Sequence, residues 1–189
     1  MSTAHRVLAA VGALATALAA STVPLAATAA PLADEGRVTA NGGVVVRHAP
    51  AVSSPVEGHQ PQGRRIPISC WVDGTAVDGN TRWYALPPTL NEWVSARWVA
   101  VDGTVPRCAG NQAARSGRTS TALTVRRGPH TGEQSLGVLR AGQRVSLQCR
   151  LPSQPVAGND RWYKLAGAQG WVAARYVANE GPAPAWCTV

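Results

Sequence analysis

The 189-residue chain has few of the residue patterns on which catalytic sites depend. It has no G-x-S-x-G sequence, the turn that carries the nucleophile of many serine hydrolases, and its ten acidic residues are scattered along the chain. The three histidines beyond residue 30 are His48, His59 and His130, and none recurs in the matching copy of the repeat described below. An enzyme needs a nucleophile with its base, paired carboxylates or a metal. The sequence therefore predicts a protein that is not an enzyme.

The usual spacing of metal ligands is also missing. The chain has four cysteines but no C-x-x-C pair, and no histidine stands near a cysteine in sequence. Structural zinc sites use closely spaced cysteine and histidine ligands. We therefore expect neither a metal ion nor a cofactor.

No long apolar run occurs beyond residue 30, and the one before it is typical of an export signal. His5 and Arg6 precede the uncharged run Val7 to Ala20, and Ala27-Thr28-Ala29 gives an A-x-A cleavage pattern. A membrane anchor is the alternative, but the run is shorter than the roughly 20 residues that span a bilayer. Residues 1–29 are thus a predicted signal peptide. We expect the rest of the chain to be secreted, extracellular or associated with the cell wall, with no membrane span.

Acidic residues are scarcest in the second part of the chain. Residues 44–108 carry six cations against five anions, whereas residues 118–189 carry nine cations against three anions. This asymmetry favours an anionic partner for the second part, although a solvated basic face would give the same count. No cluster of arginine and lysine of the kind found in nucleic-acid-binding arms is present. The expected partner is therefore a polyanionic wall polymer and not a nucleic acid.

The aromatic residues are concentrated in a repeated stretch. "GNTRWYALPPTLNEWVSARWVAVDG", which starts at Gly79, returns as "GNDRWYKLAGAQGWVAARYVANEG" from Gly158. The match extends backwards at one fixed offset as far as Val46 and Val125. Two copies of this length can each hold a small core. We predict a flexible tail at 30–43, a first domain at 44–108, a linker at 109–117 and a second domain at 118–189.

Each copy has the pattern of short strands and lacks sustained helical periodicity. "VVVRHAP" and "LTVRRGP" are β-branched runs that end at proline, and "QRVSLQCRL" alternates apolar with polar residues. Turns rich in glycine, asparagine and proline separate the runs. Short strands at this spacing predict an all-β fold with one small antiparallel barrel in each copy.

The cysteines have equal spacing in the two copies. Cys70 and Cys108 are separated by the same length of chain as Cys149 and Cys187. Four cysteines allow three pairings. The equal spacing favours Cys70–Cys108 and Cys149–Cys187, as expected for small domains in an oxidising compartment.

The last strand of the second copy carries a resemblance to a known family. "GWVAARYV" is similar to the G-aromatic-V-x-x-x-Y-V ending of SH3-like barrels, and with "ALTVRRGP", "RWYKL" and an export signal the chain resembles the bacterial SH3 domain family. The resemblance covers both copies. It implies two tandem SH3-like barrels in a non-catalytic module that binds peptidoglycan or another envelope polymer. An interaction or adaptor protein that binds another secreted protein is the alternative.

Strand alternation suggests which aromatic residues point outward. In "RWYKL", Tyr163 and Leu165 share one face and Trp162 and Lys164 the other. Leu165 has the character of a core residue, which predicts an outward Trp162. The same reasoning predicts an outward Trp83 in the first copy.

The resemblance adds a second aromatic residue to each copy. Tyr176 matches the groove aromatic of the family, and Trp98 takes its place in the first copy. The predicted ligand-binding pairs are Trp83 with Trp98 and Trp162 with Tyr176. Exposed aromatic rings stack on sugars or peptides, although aromatic residues in small barrels also serve as packing.

Two departures from the family limit what the resemblance implies. "ALTVRR" lacks the further aromatics of SH3 domains that bind proline-rich peptides, so that ligand is not expected. Glu92 stands where the second copy has Gly170, so the two copies need not bind the same ligand. Trp186, which is not duplicated, is predicted to pack on the neighbouring disulfide.

Overall fold

The structure, a computed structural model, describes residues 35–89, 91–109 and 112–188. These residues form β-strands and two 3-10 helices of three residues each, Ala96–Trp98 and Ala174–Tyr176, which confirms the all-β prediction. Within this part of the chain, no helix is long and apolar enough to cross a membrane. The predicted signal peptide at 1–29 lies outside the described residues.

The first half of the fold, residues 35–109, contains eight strands. They are β1 (Glu35–Val38), β2 (Val44–Arg47), β3 (Val56–Gln60), β4 (Arg65–Pro67), β5 (Cys70–Val77), β6 (Asn80–Ala85), β7 (Trp93–Ser95) and β8 (Val99–Val101). The second half, residues 112–188, contains seven strands. They are β9 (Arg115–Thr119), β10 (Leu123–Arg126), β11 (Ser135–Leu139), β12 (Arg144–Val156), β13 (Asn159–Leu165), β14 (Trp171–Ala173) and β15 (Val177–Asn179).

The strand pairings of the two halves agree in register. In the antiparallel pair β2–β3, Val44 lies opposite Gln60, and in β10–β11 their repeat counterparts Leu123 and Leu139 lie opposite each other. Both pairs carry a register shift at the same place, before Arg47 and before Arg126. The sequence match is therefore accompanied by the same local backbone arrangement in both halves.

The predicted tail and linker each contain a strand, so these two boundaries were wrong. Strand β1 pairs with β4 and β8, and β9 pairs with β12 and β15. Each strand lies between two others, so its backbone N–H and C=O groups have partners on both sides. The first half therefore begins by Glu35 and not at residue 44, and the second half begins by Arg115 and not at residue 118.

A glycine allows each of these strands to approach its neighbour closely. A Cβ atom at Gly36 would lie 2.4 Å from Cγ1 of Val99, and one at Gly117 would lie 2.7 Å from Cγ1 of Val177. Both distances are far below van der Waals contact. Any larger side chain at these positions would force β1 or β9 away from the core valine.

The halves differ in how their sheets are connected. The first half has a three-stranded sheet, β4-β1-β8, and a five-stranded sheet, β3-β2-β7-β6-β5. The second half has one seven-stranded sheet, β11-β10-β14-β13-β12-β9-β15, because β12 runs unbroken from Arg144 to Val156. Pro67 ends β4 at the position of Ser146, and proline has no N–H with which to continue a strand ladder.

Three apolar cores stabilise the described residues. One lies within the first half around Ile68, Tyr84 and Val94, and one within the second half around Leu147 and Tyr163. The third draws on both halves, and its members include all four cysteines and four tryptophans, namely Trp83, Trp93, Trp162 and Trp171. The expectation that each copy closes on its own core is therefore incomplete, because the outer face of each sheet is covered by the other half.

Hydrogen bonds also join the halves. Nε1 of Trp171 donates to the backbone oxygen of Asp73 at 2.7 Å. The carboxylate of Glu133, which is 5% exposed, accepts from the hydroxyl of Ser53 at 2.7 Å and from the hydroxyl of Thr75. A buried carboxylate without such donors would be costly, so this contact ties the two halves in one arrangement.

The disulfides join Cys70 to Cys108 and Cys149 to Cys187, as the spacing predicted. Each links the start or middle of a long strand to the segment that ends its half. Both disulfides lie in the core that the halves share.

Beside each disulfide, an arginine stacks on a tryptophan, with the two partners exchanged between the halves. In the first half the guanidinium of Arg107 lies 4.0 Å from the ring centre of Trp71, and in the second half Arg150 lies 4.3 Å from that of Trp186. Trp71 matches Arg150 in the repeat, and Arg107 matches Trp186. Trp186 therefore stacks on an arginine, a contact that the sequence interpretation had not included.

Reduction of the disulfides is expected to lower stability strongly. The chain-entropy estimate for a loop of this length is about 4 kcal/mol for each bridge. A thermal melt of the protein with and without reductant, followed by circular dichroism, measures the effect. Peptide mapping without reductant is the companion measurement, and a bridge between Cys70 or Cys108 and either other cysteine would contradict the pairing.

Candidate binding clefts

A cleft of about 390 Å³ opens on the second half, and the predicted pair Trp162 and Tyr176 both line it. Leu123, Arg126 and Val156 form other parts of its wall. Strands β10 and β13 carry three of these residues, and the 3-10 helix Ala174–Tyr176 carries the tyrosine. We call this the second cleft.

The corresponding cleft of the first half has a volume of about 200 Å³ and contains the other predicted pair, Trp83 and Trp98. Each of its nine lining residues has its repeat counterpart among the ten residues that line the second cleft. The correspondence includes Arg47 with Arg126, and Val77 with Val156. The structure thus brings each predicted pair together in one cleft. We call this one the first cleft.

The predicted outward orientation of Trp83 and Trp162 is wrong. Trp83 is 2% exposed and Trp162 is 1% exposed, and both belong to the shared core. Their indole N–H groups are also satisfied, since Nε1 of each donates at 2.8 Å to a backbone oxygen, that of Thr75 or of Gln154. These two tryptophans therefore form the floor of the clefts, where little of their surface reaches solvent.

Trp98 and Tyr176 are half-buried and form the accessible aromatic wall of each cleft. Each is the last residue of its 3-10 helix. In the first half, Oγ of Ser95 accepts from the backbone N–H of Arg97 at 3.3 Å and so caps the helix. The guanidinium of Arg97 lies 4.4 Å from the ring centre of Trp98 and covers one of its faces.

Each cleft also has one arginine in a fixed position. Nη1 of Arg47 donates to the backbone oxygen of Ser54 at 2.7 Å, and Nη1 of Arg126 donates to that of Glu133 at 2.9 Å. A guanidinium has five N–H donors, so each arginine keeps others for a ligand. The repeated "VR" at Val46-Arg47 and Val125-Arg126 was the available sequence signal for these residues, which the prediction of the site had missed.

The clefts differ in polarity at two positions. The first cleft has Val45 and Val52, which are 37% and 44% exposed, where the second has Thr124 and Thr131. Exposed valines favour an apolar contact, whereas threonines add hydroxyl groups. The hydroxyl of Thr131 already donates to Oε1 of Gln154 at 2.6 Å and can still accept a hydrogen bond. The clefts therefore present different surfaces to a ligand on the same framework.

Within residues 35–89, 91–109 and 112–188, no group of three or more histidine, cysteine, aspartate or glutamate side chains is placed to hold a metal ion. No protein-family model matches the chain, and no curated protein matches it. Matches among solved structures include "Endolysin LysPBC5 CBD", at 10% identity and a TM-score of 0.30, with 78% of this chain and 93% of that chain covered. NlpC2 from Trichomonas vaginalis matches at 12% identity and a TM-score of 0.27, with 76% of this chain and 47% of that chain covered.

Proposed function

We propose that the protein is a secreted, non-catalytic binding module with two SH3-like halves, and that its two clefts bind units of peptidoglycan or an anionic wall polymer. The observation that carries this proposal is the pair of corresponding clefts. Nine positions line both of them, and each cleft combines a half-buried aromatic ring with an arginine. A repetitive polymer offers the same unit to both clefts.

The chemistry of the clefts supports such a ligand. The accessible faces of Trp98 and Tyr176 suit stacking on the apolar face of a sugar ring or on a peptide. The nearby Arg47 and Arg126 suit an anionic substituent, because a guanidinium pairs with carboxylate or phosphate through two parallel hydrogen bonds. Residues 118–189 carry nine cations and only three anions, and this positive charge adds long-range attraction to an anionic polymer.

Replacement of the accessible aromatic residues is expected to weaken wall binding. The variant Trp98→Ala with Tyr176→Ala should bind purified peptidoglycan at least tenfold more weakly in a co-sedimentation titration, because loss of stacking costs about 1 kcal/mol or more at each cleft. Tyr176→Phe, which keeps the ring, should bind almost as well as the unchanged protein.

The matched control is Val138→Ala, which removes an exposed apolar side chain outside both clefts. It should leave binding unchanged. If all variants sediment with the wall equally well, the clefts are not the binding site. If the unchanged protein does not sediment with any wall preparation, the alternative is favoured, an adaptor whose clefts contact another secreted protein.

A further inference from the structure

A third cavity, of about 560 Å³, lies at the junction of the two halves. It shares no lining residue with either cleft. Its lining includes six residues with polar side chains, namely Asp73, Arg107, Gln112, Gln148, Lys164 and Gln169. A volume of this size lies within the usual range for sites that hold small molecules. We call it the junction cavity.

Lys164 is the most unusual residue of the junction cavity. Strand alternation placed it on the same face as Trp162, which was predicted to point outward, but it is only 2% exposed. Asp73 and Arg107 of the first half line the same cavity. It is the only lysine in the chain, and Ala85 stands at its place in the first half. A buried ammonium group is costly unless its N–H groups have partners.

The partners of this ammonium group are incomplete. Nζ of Lys164 donates to the backbone oxygen of Ala168 at 2.7 Å and to that of Leu165 at 3.3 Å. An ammonium group has three N–H donors. In the described part of the chain, the third donor has no hydrogen-bond acceptor.

The one carboxylate of the junction cavity is already engaged. Oδ2 of Asp73 accepts from Nη1 of Arg107 at 3.1 Å, and Oδ1 accepts from the hydroxyl of Thr81 at 3.0 Å. The guanidinium of Arg107 is held in place by its stack on Trp71, at 4.0 Å. Two cations against one anion leave the cavity with a net positive charge, and both cations keep N–H donors that make no bond to another described residue.

We propose that the junction cavity binds a short peptide through its free C-terminal carboxylate, which pairs with Lys164 and Arg107. The carboxylate supplies the acceptor that the third N–H of Lys164 lacks. The side-chain amides of Gln112, Gln148 and Gln169 can each donate and accept, which suits the N–H and C=O groups of peptide bonds. A bare inorganic ion would leave most of the cavity and its amide groups unused.

The pKa of Lys164 is lowered to about 8, mainly by burial, while Asp73 opposes this shift and Arg107 adds to it. A bound carboxylate favours the charged ammonium and must raise this pKa again. Binding is therefore strongest below pH 8 and weakens as the pH rises through the pKa of the free protein. At pH 8 the protein should take up protons when the peptide binds.

The single lysine makes a direct test possible. Protein grown with ¹³C-labelled lysine gives one ε-carbon signal, whose shift over a pH titration reports the pKa of Lys164. The probe is N-acetyl-alanyl-alanine, and the matched control is its C-terminal amide. We expect N-acetyl-alanyl-alanine to raise the pKa of Lys164 by about one unit. A shift of one unit corresponds to tenfold tighter binding to the charged form of Lys164 than to its neutral form. The amide should leave it unchanged.

Acetate and inorganic phosphate are the further probes. Either should shift the signal only at much higher concentration than the peptide acid. If phosphate binds as tightly as the peptide acid, the site is a general anion site and the peptide assignment is overturned. If the acid and the amide bind equally, or if neither moves the Lys164 signal, the proposal fails.

A variant extends the test without a change to either cleft. Lys164→Ala places at this position the residue that the first half already has at Ala85, and calorimetric titration should show at least a tenfold loss of affinity for the peptide acid. Arg107→Gln should weaken binding similarly, and a melting curve checks the fold of both variants. Because wall binding through the clefts is measured separately by co-sedimentation, failure of one proposal does not imply failure of the other.

Discussion

Replacement of Trp162 by alanine is expected to lower the free energy of unfolding by about 3–5 kcal/mol, the usual cost of removing a large aromatic side chain from a core. The indole is 1% exposed and belongs to the core that the two halves share. Its removal also leaves the backbone oxygen of Gln154 without its donor. Small proteins have only about 5–15 kcal/mol of total stability, so this loss removes a large share of it. Urea unfolding followed by tryptophan fluorescence and circular dichroism measures the loss.

Tyr176→Ala is the matched comparison, because Tyr176 lines the same cleft but is only half-buried. It should cost clearly less stability than Trp162→Ala. Trp83→Ala should behave like Trp162→Ala, since it occupies the corresponding position in the first half. Stability near that of the unchanged protein in both tryptophan variants would contradict the shared core and restore the exposed orientation that the sequence had suggested.

Neither half is expected to fold by itself. Expressed alone, residues 31–109 or 110–189 would expose their part of the shared core, including two of its four buried tryptophans. Each would also lose the hydrogen bonds of Glu133 and of the Trp171 indole across the junction. We expect broad, non-cooperative melting curves and poor dispersion of amide signals in NMR spectra of each half.

Mixing the two fragments provides the control. The shared core should form again when both are present, with a gain in cooperative melting that depends on concentration. A sharp melting transition for either fragment alone, close to that of the intact chain, would show that the shared core is not needed for folding.

The sequence was sufficient to predict the faces of the strands but not what covers them. Alternation correctly separated Tyr163 and Leu165 from Trp162, since the first two lie in the core of the second half and Trp162 does not. An alternation with a period of two residues shows only which side chains share a face of the strand. Whether the second face meets water or another sheet depends on contacts between residues that are far apart in the chain, such as that of Ser53 with Glu133.

The strands β1 and β9 were missed for a different reason. Gly36-Arg37 matches Gly117-Arg118, but at a larger offset than the one that aligns the strands after them. The loop that follows β1 is longer than the one that follows β9, so a comparison at one fixed offset does not reveal the match. The disulfides were predictable because both cysteines of each pair align at that fixed offset.

The junction cavity was not predictable from the repeat. Lys164 has Ala85 as its counterpart, and Arg107 has Trp186, so no repeated pattern pointed to either residue. Their association depends on how one half docks on the other. A site formed from unmatched residues of both halves becomes visible only when the packing of the halves is known.

If the two clefts bind a wall polymer as proposed, the core that joins the halves has a consequence for which polymers are selected. Two binding sites on a flexible linker can adjust to any spacing along a polymer, and their combined affinity depends on linker length. Here the contact of Glu133 with Ser53 and Thr75 and the four tryptophans of the common core fix the position of one cleft relative to the other. Because the distance between the clefts is then fixed, both clefts can bind one polymer chain only where its units repeat at that distance. Two polymers built from the same binding unit but with different spacing between units would then differ in affinity, because the distance between the clefts is fixed.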